Sequence, residues 1–192
     1  MGTMPSRRAM AALLVVSVAL PGALLAWVLA HDDERTGAAG SEQVNAFVAG
    51  RARLGQLAPD FRLATLGGEQ FRLTGTRGSP VVLTFFASWC HPCEEELPLL
   101  EAAHEKQPND FKVVAVSFED LPRDSKAFVK RLGVKYPALF DGDNDVANAY
   151  GVRGIPATFF IDADGVIRDR VHGITSRDAL DQPLEALLRR SR

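Results

Sequence analysis

The stretch FFASWCHPCEEELP, residues 85–98, holds both cysteines of a 192-residue chain, Cys90 and Cys93, with two residues between them. Thiols at that spacing admit three roles: a redox couple that opens and closes as a disulfide, half of a soft metal site, or a pair of buried bystanders. A bridge between such near neighbours closes almost no loop, so it adds little by restricting the unfolded chain, and a purely structural disulfide is the weakest of the explanations. A metal site needs further soft or imidazole ligands. No second cysteine pair exists, and His31, His91, His104 and His172 show no paired ligand spacing. Two thiolates alone suit copper, so that alternative stays open.

The flanking residues say how the pair is held. PVVLTFFA, residues 80–87, is a continuous apolar run rich in β-branched and aromatic residues, which predicts a strand buried on both faces. HPCEEELPLLEAAHEK, residues 91–106, switches to helical spacing, with Leu97, Leu100 and His104 along one side, acids in the first turn and Pro98 as a predicted kink. Cys90 then ends a strand and Cys93 lies in the first helical turn, where positions i and i+3 share a face and the sulfurs can meet. The free amides of a helix N-terminus favour an anion and so lower a thiol's pKa. A protonated His91 pushes the same way, and Pro92 occupies a first-turn position where a backbone donor would be idle.

The remaining elements alternate. PDFRLATLGGEQFRL, residues 59–73, reads as a hairpin around Gly67-Gly68. FKVVAVSF is a second buried strand, SKAFVKRLG a helix closed by Gly133, YPALF a short strand, and DGDNDVANAYGV a turn followed by a short helix. ATFFIDADGVIRDRVHG forms two strands around the turn dipeptide Asp164-Gly165. SRDALDQPLEALLRR is a closing helix capped by Ser176 or Thr175, and VNAFVAGRARL holds at most a helical turn. The order predicts an α/β fold: a central mixed sheet with helices on both faces.

Lys and Arg total 22 against 24 Asp and Glu, a formal charge of −2, which argues against a nucleic-acid partner. Ala9–Ala30 carries no charge; at about 1.5 Å per residue it reaches across a ~30 Å hydrocarbon core. Arg7 and Arg8 precede it and HDDER follows, so residues 1–8 are expected in the cytoplasm, 9–30 as a transmembrane anchor, and the rest on the extracytoplasmic side of the cell membrane. A cleaved signal peptide ending at Val28-Leu29-Ala30 is the competing reading. Residues 31–54, opening with HDDERTGAAGSEQ, read as a linker, and 55–192 as the globular domain.

FFASWCHPC resembles the active site of the thioredoxin superfamily, and RGIPATFFID its second signature, a cis-proline loop followed by a strand. The front end, LGQLAPDFRLATLGGEQFRLTGTRGSPVVLTFFASWCHPCEEELPLL, is similar to the redoxin or TlpA-like branch of membrane-tethered thioredoxins, some of which serve cytochrome c maturation. The resemblance runs from about Gly55 to Leu188 and implies a thioredoxin-like fold with an N-terminal hairpin and a strand-helix insertion, EDLPRDSKAFVKRLGVKYPALFDGD. It implies that Cys90 is the exposed nucleophile and Cys93 the buried resolving thiol. It further implies that Trp89, Ile155, Pro156 and Gly173 form the substrate-binding surface, with Pro156 in the cis position. The implied function is thiol-disulfide exchange with exported proteins, with no cofactor beyond the disulfide and with a membrane or exported partner to reset the pair.

Two departures bear on redox direction. The buried aspartate that thioredoxin carries six residues before the nucleophile is Thr84 here, and the residues between the cysteines are His91 and Pro92. The resemblance favours a reductant, whereas His91 favours a disulfide donor. With Thr84 unable to take a proton, the acids after the second buried strand, Glu119 and Asp120, are the expected acceptors, through a carboxyl whose pKa is raised by partial burial. A redoxin-type peroxidase is a further alternative, but its Pro-x-x-x-Thr-x-x-Cys pocket meets Leu83 and Ala87 in this chain.

Overall fold

The computed structural model describes residues 52–174 and 176–190. The Ala9–Ala30 segment, the linker up to residue 51, most of VNAFVAGRARL, and Thr175 lie outside the described residues; residues 52–54 of that stretch are not helical. Among the described residues no helix is long and apolar enough to cross a membrane.

Among the described residues seven strands and four α-helices follow one another: β1 Arg62–Ala64, β2 Gln70–Arg72, β3 Val81–Phe86, α1 His91–Lys106, β4 Lys112–Ser117, α2 Pro122–Arg131, β5 Ala138–Leu139, α3 Asp145–Ala149, β6 Ala157–Ile161, β7 Ile167–His172 and α4 Arg177–Arg190. The central sheet has the order β5-β4-β3-β6-β7, with β3, β4 and β5 parallel and β6 and β7 antiparallel to their neighbours. β1 and β2 form a separate antiparallel hairpin. Its Ala64 carbonyl and Leu66 amide bond to Phe140 and Ala138, which fastens it beside β5. These are the thioredoxin-like arrangement, the hairpin and the strand-helix insertion expected from the sequence.

β3 is buried at every position because it lies between two strands and two layers. Val82, Thr84 and Phe86 face α1, α2 and α4; Val81, Leu83 and Phe85 face the hairpin and α3, following the two-residue period of a strand. Helices therefore flank both faces unequally. The first core holds Leu97 and Leu100 of α1, Phe128 of α2 and Leu180 and Leu184 of α4. The second is aromatic: Tyr150 is fully buried with ring centroids 6.1 Å from Phe61, 5.5 Å from Phe85 and 5.1 Å from Phe159, and its hydroxyl donates to the Pro59 carbonyl at 2.9 Å.

Two local devices, at Gly165 and at Ser176, match the sequence expectation. Gly165 turns β6 into β7 at φ +78°, a conformation open to glycine without steric cost. α1 continues through Pro98, which is carried inside the helix. The Ser176 hydroxyl accepts from the Ala179 amide at 3.3 Å, capping α4.

Phe85 is wholly buried between Tyr150 and Phe159, so Phe85→Ala is expected to lower the unfolding free energy by about 3–5 kcal/mol in urea titrations. A loss under about 1 kcal/mol would show that the aromatic core is not a stabilising element.

Candidate active site

The junction between β3 and α1 builds the redox centre. The Cys90 amide donates to the Ala87 carbonyl at 3.2 Å, Cys90 is the N-cap residue of α1, and the Cys93 amide returns to the Cys90 carbonyl at 3.2 Å. This tight turn sets the two Cα atoms 5.4 Å apart, and the sulfurs are joined in a disulfide. The exposed nucleophile that the resemblance implies is nearly covered in this oxidised state: Cys90 keeps 3% of its surface and Cys93 none. Access still orders the pair, since only Cys90 touches solvent.

The Ile155–Pro156 peptide is cis, Ile155 packs against the cluster that holds both cysteines, and Gly173, at φ +69°, donates its amide to the Pro156 carbonyl at 3.2 Å. Trp89, more than half exposed, and Ile155 line one open cleft of about 640 Å³ together with Phe118, Glu119, Asn144 and Arg153. Trp89 and the cis-proline loop, distant in sequence, therefore form the walls of one groove beside the disulfide. His91 points outward with its side chain 89% exposed; its Nδ1 lies 3.8 Å from Glu94, which also pairs with Arg131 at 2.8 Å. Solvent and these neighbours screen whatever charge His91 carries, which weakens its pull towards a disulfide donor.

A buried acid that the sequence analysis did not single out lies one turn beyond Cys93. Glu96 of α1 is fully buried, one helical turn from Cys93 and on the same face. Its Oε2 accepts from the Ile174 amide at 2.8 Å, and its Oε1 meets the hydroxyls of Thr84, at 2.7 Å, and Thr158. The two hydroxyls also touch each other at 2.9 Å. Both hydroxyls donate to the same carboxyl oxygen, so the buried acid has its partners inside the protein. Burial pushes the Glu96 carboxyl above the usual carboxylate range; the bonds from Thr158, Ile174 and Thr84 oppose that push without cancelling it. Thr84, at the position of thioredoxin's aspartate, donates instead to an acid delivered from the facing helix. The signal was present in the helical period: Glu96 falls between Cys93 and Leu100 on the stripe that also carries Leu97, and a strand threonine lies opposite.

Asp120 and Glu119 need correction. Asp120 accepts four hydrogen bonds: from the Ser88 amide at 2.7 Å, the Ser88 hydroxyl at 2.8 Å, the Leu121 amide at 2.9 Å and the Ser125 hydroxyl at 2.6 Å. Burial alone would raise its pKa, but the bonds from Ser125, Ser88 and Leu121 outweigh it and the net direction is down. Asp120 therefore holds the residues leading into Cys90, and its carboxyl is shifted down where the sequence expectation was a raised pKa. Glu119 is exposed and contributes its backbone: its amide donates to Asn144 Oδ1 at 2.8 Å and its carbonyl accepts the Trp89 indole N–H at 3.0 Å. Among the described residues no group of three or more His, Cys, Asp or Glu side chains is arranged to hold a metal. At the positions of a peroxidase pocket, Leu83 faces away from the disulfide into the aromatic core and Ala87 is a buried methyl with no hydroxyl to offer.

Glu96 and Asp120 should leave opposite signatures in stability against pH. A carboxyl with a raised folded pKa binds more protons folded than unfolded, so stability falls as pH rises from the ordinary carboxyl range to the folded value. Glu96→Gln is expected to abolish that fall. Asp120 contributes stability above the ordinary carboxyl range that is lost as pH drops through its lowered folded value, and Asp120→Asn should remove the acid-side loss. Unfolding titrations from about pH 3 to pH 8 test both, and identical profiles for wild type and Glu96→Gln would contradict the raised carboxyl.

Comparison with known proteins agrees with this geometry. The AhpC/TSA family matches residues 54–170. The chain is 35% identical over 135 residues to the thiol-disulfide oxidoreductase ResA of Geobacillus thermodenitrificans, covering 70% of this chain and 78% of that one. It is 36% identical over 134 residues to the thioredoxin-like protein YneN of Bacillus subtilis, covering 68% and 78%. A thiol:disulfide interchange protein of the thioredoxin family from Chlorobium tepidum, known by crystal structure, superposes with a TM-score of 0.63 at 28% identity, over 71% of this chain and 98% of that one. The redox group is the cysteine pair itself, and the chain belongs to the AhpC/TSA family as a thioredoxin-like, TlpA-like thiol-disulfide oxidoreductase.

Proposed function

We propose that this oxidoreductase works on the extracytoplasmic side of the cell membrane, tethered by Ala9–Ala30, and reduces disulfides in exported proteins. The observation that carries the reducing direction is Glu96, a buried carboxyl one turn from Cys93. A negative charge there works against a Cys93 thiolate, and a pair whose reduced form is poorly stabilised is a reductant. The charge that would oppose this, on His91, stands in solvent beside Glu94. The location is supported by the arginines before the apolar run and the acids after it.

In the reaction the Cys90 thiolate attacks one sulfur of a substrate disulfide, forming a mixed disulfide and releasing one substrate thiolate. Cys93 then loses its proton and attacks the Cys90 sulfur. The Cys90–Cys93 bond forms, the second substrate thiolate leaves, and two electrons have passed to the substrate. Glu96 receives the proton of Cys93, a role that its burial, its raised pKa and its place one turn along the same helix face support. A membrane or exported dithiol returns the pair to its reduced form. Cytochrome c maturation, which uses such reductants in the resembling branch, is the physiological setting we infer.

Cys93→Ser is expected to accumulate mixed disulfides through Cys90 with exported proteins, while Cys90→Ser traps none; equal trapping by both variants would overturn the assignment. The reduction potential of the pair should lie nearer about −270 mV than about −120 mV, and the reverse would make the enzyme a disulfide donor. The mature protein should keep residues 1–30 and fractionate with membranes; an intact N-terminus at His31 would show cleavage instead. Loss of covalently bound haem in cells carrying Cys90→Ser would support the cytochrome c setting, and unchanged haem proteins would remove it.

A further inference from the structure

Two non-glycine residues among those described have a left-handed backbone: Glu119, at φ 47°, and Asn144, at φ 57°. Asparagine tolerates that region because its short amide bonds locally, but glutamate has no such relief and must be held there. The two are bonded to each other. The Glu119 amide donates to Asn144 Oδ1 at 2.8 Å, and the Glu119 carbonyl accepts the indole N–H of Trp89 at 3.0 Å. One chain of two hydrogen bonds thus runs from the loop before α3 to the residue next to the nucleophile.

Asn144 is placed unusually for this work. It is the N-cap residue of α3, where an asparagine ordinarily spends its side chain on the first free amides of its own helix, yet it makes no such bond. Asp141 does the capping instead, its buried carboxylate accepting from the Val146 amide at 3.3 Å and the Ala147 amide at 2.9 Å. With the helix satisfied by Asp141, the Asn144 amide is released to reach across to Glu119. At the other end Trp89 is the one aromatic side chain left largely exposed among the described residues, and it walls the cleft with Ile155. An indole more than half exposed is only partly oriented by packing, and its N–H is fixed by the Glu119 carbonyl.

We propose that Asn144 is a positioning residue: through the left-handed Glu119 backbone it aims Trp89 along the cleft, and this favours extended polypeptide disulfides over small ones. The proposal rests on the reading of Cys90 as the attacking thiol and Trp89 as a substrate wall. Removing Asn144 leaves both cysteines, Glu96 and the cis-proline loop untouched, so the loss falls on binding.

The test uses the full chain in detergent, kept reduced by excess dithiothreitol whose direct reaction with each probe is subtracted, with two probes: a ten-residue peptide carrying a central cysteine in disulfide linkage to a chromophoric thiol, and cystamine. Asn144→Ala is expected to raise KM for the peptide roughly fivefold, the worth of one lost hydrogen bond, with kcat for the peptide nearly constant and a smaller change with cystamine. Trp89→Phe removes the donor at the other end of the chain, so the double variant should be no worse than Trp89→Phe alone. Should Asn144→Ala fold poorly, adding Glu119→Gly is expected to restore the peptide KM, because glycine enters the left-handed region unaided and the contact to Trp89 is made by a carbonyl. Additive losses in the double variant, a drop in kcat with KM unchanged, or a shift in melting temperature alone would overturn the proposal. If wild type reduces neither probe, the functional reading falls and the positioning role falls with it; if wild type reduces both and the losses are additive, only the positioning role falls.

Discussion

Glu96 has no access to water, and a buried carboxyl must find its partners inside the protein or cost several kcal/mol. Its three partners come from β3, β6 and the segment that leads to α4, so one side chain ties the active-site helix to the middle of the sheet and to the C-terminal layer. Sliding α1 by a turn would strand the carboxyl and both threonines together. The place of Cys93 is therefore set by a polar contact one turn further along its helix, and the apolar stripe of Leu97, Leu100 and Ala103 fills the space around it.

Three acids illustrate how surroundings divide labour among identical groups. Glu96 is wholly buried, and that burial pushes its carboxyl up against the pull of three donors. Asp120 has four donors, so it stays ionised and acts as a knot between the residues before Cys90 and the start of α2. Asp141 lies between: burial raises its pKa and the amides of Ala147 and Val146 oppose the rise while it caps α3. Depth of burial, set against the donors each acid collects, separates the two raised carboxyls from the lowered one.

The fold was largely legible in the residues. β3 announces itself by eight apolar or small residues with no turn signal, the hairpins by Gly67-Gly68 and Asp164-Gly165, and the redox junction by two cysteines where strand period gives way to helix period. Glu96 escaped because it follows Glu94 and Glu95, and acids in a first helical turn are normally solvated partners of the helix dipole. Only the depth of α1 against the sheet distinguishes the third glutamate from the first two. Asp120 escaped for the opposite reason: its position beside the centre was inferable, but whether four donors or one would meet it depends on Ser88 and Ser125, brought together by the insertion. The Asn144 contact has no local signature, since an asparagine before a short helix reads as that helix's own cap.

The position of β3 in the sheet also governs how the site is assembled. Val81 pairs with Lys112 on one side and with Ile161 on the other, so the strand that delivers the cysteines finds its first neighbour early in the chain and its second only after the whole insertion has been made. Contacts of long sequence separation form late because their loops are entropically expensive to close. Until β6 docks, the two thiols stand on a half-built sheet without the proline loop above them. A chain with many cysteines would be at risk of scrambled pairing during that interval. This one has two, adjacent and already on one turn, so any disulfide formed within a single folding chain is the native one, and folding requires no isomerase to correct it.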